Sequence, residues 1–234
     1  MRFAIVVLLA ACEPNLAVKP LPELVAAPQP TAASATRPLL LIPGETMIWD
    51  VHFGGFTVAR AELVVGDHEV SSRVTTGKLA SSLASLFYEA TSEVDRTHAI
   101  ALRETMTIDG DTTRAAARFR GATYLVDDKP HAVPGGNVGH TIHSALGWLR
   151  AWAEPGAAGG YLYVVHVGEL YKLEFAEPIV EEDRFRIECR IAHPEGPVSI
   201  TIWLTADRDR VPARIAISNP NVRLTAELVD RSKL

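Results

Sequence analysis

The sequence predicts a mainly β fold: a curved antiparallel sheet forming an incomplete barrel of about eleven strands, with one or two helices packed against it. Three observations point there. Apolar and polar residues alternate in short runs along most of the chain. Turn pairs such as Gly54-Gly55 and Asp109-Gly110 punctuate those runs at short spacing. Two stretches alone change to helical spacing.

The first element is a leader. Met1 and Arg2 make a short positive start, and Phe3 to Ala11 is unbroken apolar sequence. That is too short to span a bilayer, which takes about 20 residues, and it fits a secretory signal peptide. Leu9-Ala10-Ala11-Cys12 closes it and resembles the lipobox of bacterial lipoproteins. The resemblance implies cleavage after residue 11 and acylation of Cys12, which would anchor the chain in a membrane. An ordinary signal peptide with a cysteine at the junction by chance is the alternative. Glu13 follows, and the expected address is the outer membrane, facing the periplasm. Without Arg2 the formal charge of −5 becomes −6.

Residues 12–43 read as a lipidated cysteine and tether. Seven prolines stand at 14, 20, 22, 28, 30, 38 and 43 among Ala, Thr, Ser and Leu. Such a segment stays extended and can reach on the order of 90 Å. The tether either spaces the head from the bilayer or lets it search its surroundings.

Residues 44–234 read as one β domain. Met47, Trp49, Val51 and Phe53 alternate with polar residues, and Gly54-Gly55 turns the chain into Ala59, Ala61, Leu63 and Val65. Strands follow at 71–76 and 88–94. Ile100, Leu102, Met106 and Ile108 read as one face, returning after Asp109-Gly110 through Ala115, Ala117 and Phe119. Later strands run through Tyr161-Tyr163-Val165, Tyr171-Leu173-Phe175, 185–191, 198–204, 213–217 and 222–228. The two helical stretches are Leu79 to Phe87 and His140 to Trp152; in the second, Ile142, Ala145, Leu146, Leu149 and Trp152 form one stripe.

The head resembles the DUF3108 family of exported bacterial proteins, whose function is not established. Gly44-Glu45, Trp49-Asp50-Val51, Gly54-Gly55-Phe56 and Ala59 carry the start of the likeness. Ser85 to Tyr88, Ser144 to Arg150 and Tyr171-Lys172-Leu173 continue it, and Trp203-Leu204-Thr205-Ala206-Asp207 with Arg210 and Pro212 ends it. The family usually has Tyr at the position of Trp49 and often Gly at that of Arg60. The architecture also looks like the lipoprotein-carrier fold, an incomplete barrel plugged by helices that shields acyl chains. Asp207 and Arg210 read as turn-builders, with Asp207 bonding local amides.

The charge balance, with pI near 5.9, offers nothing to attract nucleic acid. There is no G-x-S-x-G elbow, P-loop or dinucleotide fingerprint, so no enzymatic role and no cofactor are expected. His140 and His143 share a helix face, and His131, nine residues before on a Pro/Gly loop, could reach them, a weak zinc candidate lacking a fourth ligand. Cys189, in an alternating strand, reads as a buried apolar residue. Trp49, Trp148, Leu149, Trp152, Tyr161, Tyr163 and Trp203 are the candidates to line an apolar interior, because strands 161–165 and 198–204 carry bulk on both faces. That interior is either a filled core or a cavity for a lipid-like ligand. The expected role is accordingly a lipid-anchored binding or carrier protein of the cell envelope. The alternative is an assembly or scaffold lipoprotein that binds another envelope protein.

If Cys12 is the anchor, Cys12→Ser should move the protein from the detergent phase to the aqueous phase in a detergent phase-separation assay. Retention in the detergent phase would place the anchor elsewhere.

Overall fold

The computed structural model describes residues 31–32, 37–77, 85–193, 196–220 and 222–233. The leader, Cys12 and most of the tether lie outside the described residues, as do residues 79–84 of the first expected helix. Leu86 and Phe87, assigned to that helix from the sequence, belong to a strand.

Seventeen strands make up one sheet among the described residues. In chain order they are β1 (Thr31–Ala32), β2 (Glu45–Phe53), β3 (Phe56–Val65), β4 (Glu69–Thr76), β5 (Leu86–Val94) and β6 (Ala99–Ile108). Then come β7 (Asp111–Arg120), β8 (Thr123–Val126), β9 (Lys129–Ala132), β10 (Gly139–His140), β11 (Gly160–His166) and β12 (Glu169–Phe175). The last are β13 (Ile179–Glu181), β14 (Arg184–Ile191), β15 (Val198–Thr205), β16 (Pro212–Ser218) and β17 (Arg223–Lys233). The helix α1 (Ile142–Trp152) connects β10 to β11. The long strands agree with the sequence pattern. The long strands number twelve, and the other five, β1, β8, β9, β10 and β13, are pieces of two to four residues, too short to display a period of two.

Neighbouring strands pair antiparallel, except that β1 and β10 both lie parallel on β11. The ladder runs from β9 at one edge, through β2 paired with β17 in the middle, to β10 and β1 at the other. No backbone pairing joins the two edges among the described residues, so the barrel is incomplete. Gly54, Gly55 and Gly110 take positive φ in the two hairpin turns that the sequence marks. One expectation fails locally. Val94 pairs with Ala99 and Glu93 with Ala101, so Ile100 is the extra residue of a bulge. It turns outward and is 43% exposed instead of sharing the inner face of Leu102 and Met106.

The helix sits inside the curve. Ala145, Trp148, Leu149 and Trp152 pack on β11, β12, β14 and β15 through Leu162, Leu173, Phe175, Ile187 and Leu204. Leu146 packs on the opposite cluster of Met47, Trp49 and Leu63. The helix starts at a capping box: Thr141 Oγ1 accepts from the Ser144 amide, and Ser144 Oγ accepts from the Thr141 amide. It ends where Arg210 donates to the carbonyls of Arg150 and Ala151, 3.0 and 2.8 Å away. Asp207 builds that turn by accepting from the amides of Asp209 and Arg210.

The packed head begins before residue 44. Arg37 donates to the Ala151 carbonyl and to Glu154. The Leu39 amide bonds Arg96 O and the Leu40 amide bonds Gly147 O. Residues 37–43, read from the sequence as the tether's end, therefore strap the helix. A Cβ at Gly147 would sit 2.9 Å from Leu41 Cγ, which explains a glycine in mid-helix.

A buried ion pair locks the arrangement. Arg150 and Glu45 are both fully buried and joined at 2.9 and 3.2 Å. Arg231 on β17 adds two bonds to Glu45 Oε1 and one to Asp209. The bonds from Lys233 and Arg231 lower the pKa of the Asp209 carboxyl to about 2. Glu45→Gln leaves a buried guanidinium short of its counter-charge and should cost roughly 3–5 kcal/mol, read as a lowered midpoint in urea unfolding. A midpoint unchanged from the parent would mean the pair does not hold the helix.

Candidate functional site

The residues picked from the sequence divide into two groups. Trp49, Trp148, Leu149 and Trp152 are buried, at 4, 3, 2 and 6% exposure. Trp49 lies at the helix's other flank, its Nε1 donating to the Pro212 carbonyl at 2.8 Å. Trp148, Trp152 and Phe175 form a three-ring cluster with centroids 4.7 to 5.9 Å apart. These rings touch one another in the way a packed interior does. Truncating one to alanine removes burial and leaves a void, a loss on the order of 3–5 kcal/mol.

Tyr161, Tyr163 and Trp203 are half-buried. The tyrosines stand edge to face, 5.6 Å apart, with Lys172 Nζ 4.6 Å from the Tyr161 ring centre. They share a face of β11 with Val165, while Leu162 and Val164 point to the helix side. Strand β11 is thus apolar on both faces, as its sequence suggests. Val165 packs with Tyr88, Leu102, Met106, Ala117 and Phe119 of the other sheet end. The sheet rolls until its ends overlap, and side chains close what backbone pairing leaves open.

That overlap contains a polar cluster the sequence did not reveal. Glu104 on β6 accepts from Tyr88 Oη and His166 Nδ1, both at 2.7 Å, and from the Val167 amide. Val167 adopts φ 48° at the tip of the β11–β12 hairpin. A Cβ on the next residue, Gly168, would touch Val126 and Ala115. Burial pushes the Glu104 carboxyl up, but the bonds from His166, Tyr88 and Val167 outweigh it and hold it below the usual carboxylate range. The same burial, with the Glu104 charge, pushes the Tyr88 phenol well up.

The three histidines are not gathered. His131, on β9, stacks on Tyr124 with centroids 5.1 Å apart. His143 reaches Ser92 Oγ at 2.7 Å through Nδ1 and Ser72 Oγ at 2.9 Å through Nε2. One nitrogen of a neutral imidazole donates and the other accepts, so two hydroxyls satisfy it. His140 Nδ1 lies 3.3 Å from Ser144 Oγ. Ser144 is wholly buried and committed to the helix cap, so this serine–histidine pair has no route to a substrate. No group of three His, Cys, Asp or Glu residues is placed to hold a metal among the described residues. Cys189 is buried, which pushes its thiol up to about 12 and leaves it unreactive.

The interior can do little chemistry as it stands. Its hydrogen-bonding groups face one another, and its apolar groups are in contact. Among the described residues, two open hollows lie on the outside. One, about 360 Å³, is lined by Asp67, His68, Glu69, Glu93, Val94, Asp95 and the displaced Ile100. The other, about 410 Å³, is lined by Glu181, Glu182, Asp183, Arg184, Trp203 and Arg214. Only Trp203 of the expected cavity residues borders either hollow. No helix among the described residues is long and apolar enough to cross a membrane.

Comparison with known proteins gives a fold and no activity. No family model matches the chain, and no curated protein sequence matches it. Among solved structures, the chain is similar to a beta-barrel-like protein of a domain of unknown function, DUF1849, from Brucella abortus. The two share 10% identity, with a TM-score of 0.59, over 84% of this chain and 99% of that one.

The interior makes the fold sensitive to acid. Burial lowers the pKa of His140 and of His143 to about 4, with the His98 charge adding to the first and the Glu104 charge opposing the second. Both are neutral when folded and bind protons more readily when unfolded, so their contribution is present above pH about 6.5 and is lost as pH falls toward 4. Each is worth about 3 kcal/mol over that window. Glu104 adds a loss below the ordinary carboxylate range. Urea midpoints should fall steadily from pH 7 to pH 4.5, and the fall should be shallower in His143→Gln. An equal slope in the variant would exclude His143 as a source.

Proposed function

We propose that this chain is a lipid-anchored binding protein of the cell envelope, held by acylated Cys12 at the outer membrane and working non-catalytically through its outer surface. The alternative of a scaffold that engages another envelope protein is the form of binding the geometry supports best. One observation carries it: the space a carried ligand would occupy is taken by the central helix, with Trp148, Leu149 and Trp152 packed against Phe175 and Leu162. Recognition then falls to the outer faces and rims, where exposed apolar side chains remain. Phe56 at the β2–β3 turn is 77% exposed, and Val180 on β13 is also exposed. The tether, with its prolines, would let such a head reach a partner away from the bilayer.

A second reading, the carrier of an apolar ligand, draws on a different observation. The two sheet edges are joined by side chains and not by a hydrogen-bonded ladder. Displacing the helix would uncover a wide apolar surface without breaking strand pairs. Its obstacle is the buried Arg150–Glu45 pair, which must open first.

Native mass spectrometry of the Cys12→Ser chain, secreted to a bacterial periplasm and purified without detergent, separates the two. The bare mass, with a protein captured by crosslinking in intact envelopes, is the expected result. A bound mass in the lipid range, lost in Trp148→Glu, would overturn the scaffold reading in favour of the carrier.

A further inference from the structure

The outer hollow on the β13–β16 side has a composition that its role in the fold does not explain. Trp203 faces away from the core that takes Ile202 and Leu204. The other three tryptophans are buried; this one is half-buried on the solvent side of a strand. It stands in a cross-strand row, with Arg186 opposite on β14 and Arg214 opposite on β16. Arg186 is engaged by Glu181 and Glu188. Arg214 is not engaged in that way. Its guanidinium carbon stands 5.0 Å from the indole centre, and its Nε lies 3.6 Å from Glu227, beyond hydrogen-bond reach. That Nε is buried without a hydrogen-bond partner among the described residues, while the side chain as a whole is 43% exposed. The indole thus lies beneath a guanidinium, and both side chains line the hollow.

Around this pair stand Glu181 and the turn Glu182-Asp183, with Arg184 beyond, enclosing about 410 Å³ that is open on one side. Glu181 is already held by Arg186 and Asp183 lies 3.4 Å from Arg184, so the charges of the rim come close to balance, which does not suit a bare cation or anion. They suit a neutral ligand rich in hydroxyls. Carboxylates accept from hydroxyl groups, guanidinium donors meet hydroxyl or amide oxygens, and the exposed part of the indole offers an apolar surface to the C–H side of a sugar ring. The open side admits an extended chain. From these juxtapositions we infer that the Trp203 hollow binds carbohydrate, and that its occupant is a glycan strand of the cell envelope. The inference goes beyond the scaffold reading and needs no protein partner; it draws on the envelope address only for the source of the glycan.

The test uses the Cys12→Ser chain and purified bacterial sacculi, with tetra-N-acetylchitotetraose as soluble competitor. Co-sedimentation with sacculi that the tetrasaccharide displaces is expected, together with a change in tryptophan emission on adding the tetrasaccharide. Trp203→Leu and Arg214→Gln should each weaken co-sedimentation by about tenfold or more with the thermal midpoint kept. Arg214→Gln retains the indole and so controls for lost packing in Trp203→Leu. No sedimentation, sedimentation that the tetrasaccharide leaves intact, or equal binding by both variants would overturn the assignment. A crosslinked protein partner without glycan binding would sink this inference and leave the scaffold reading standing. A lipid in the interior would do the reverse.

Discussion

One carboxylate, Glu45, receives four hydrogen bonds from two guanidiniums, and the architecture converges on it. Glu45 opens β2, Arg231 lies near the end of β17, and Arg150 belongs to the helix between β10 and β11. The first and last long strands of the head are neighbours in the sheet, and the helix is fastened to their shared end. Arg150 also donates to the carbonyls of Asp209 and Arg210, 2.8 and 3.1 Å away, in the β15–β16 turn. A buried charge is costly unless every donor finds an acceptor, and here Arg150 finds them on two separate segments, the start of β2 and the β15–β16 turn. These bonds tie the helix to the start of β2 and to the β15–β16 turn at once.

With the helix fixed, the interior follows. Its apolar stripe takes Phe175, Leu162 and Leu173 on one side, while its polar positions meet hydroxyls on the other. His143 bridges β4 and β5 through Ser72 and Ser92. Glu104 ties the β11–β12 hairpin tip to the opposite end of the rolled sheet. A sheet that closes by side-chain contacts instead of a continuous ladder keeps two free edges, and these are short and broken. Strand β9 is four residues with a proline, and the β11 edge is covered by two-residue pieces. Such edges discourage indiscriminate strand addition. The features left for recognition are on the outside, where Trp203 and the bulged Ile100 border the two hollows.

Much of this was legible because alternation is a local signal. A half-buried strand writes its two faces into successive residues, and Gly54-Gly55 and Asp109-Gly110 carry the positive φ their turns require. The helix declared itself through its stripe, and Asp207 through the turn it builds. The bulge at Ile100 was not legible, since an added residue shifts the face without altering composition. Nor was the strap: a proline-bearing, weakly charged segment reads as linker, and only contact with Gly147 shows that 37–43 packs.

The sequence by itself therefore determined the class of fold, the order of its long strands, the single well-marked helix and the turns, all of which depend on residues a few positions apart. Tertiary structure alone decided which charges meet. Glu45 and Arg150 are separated by 105 residues, Glu45 and Arg231 by 186, and Glu104 and His166 by 62. It also decided which aromatic residues are core and which face solvent. Trp148 and Trp203 look alike as residues, but one sits on the helix and packs into the interior and the other lies beside Arg214 on the outer face. Pattern along a chain reports local periodicity, whereas burial and pairing depend on how the sheet rolls, and that is set by contacts between distant segments.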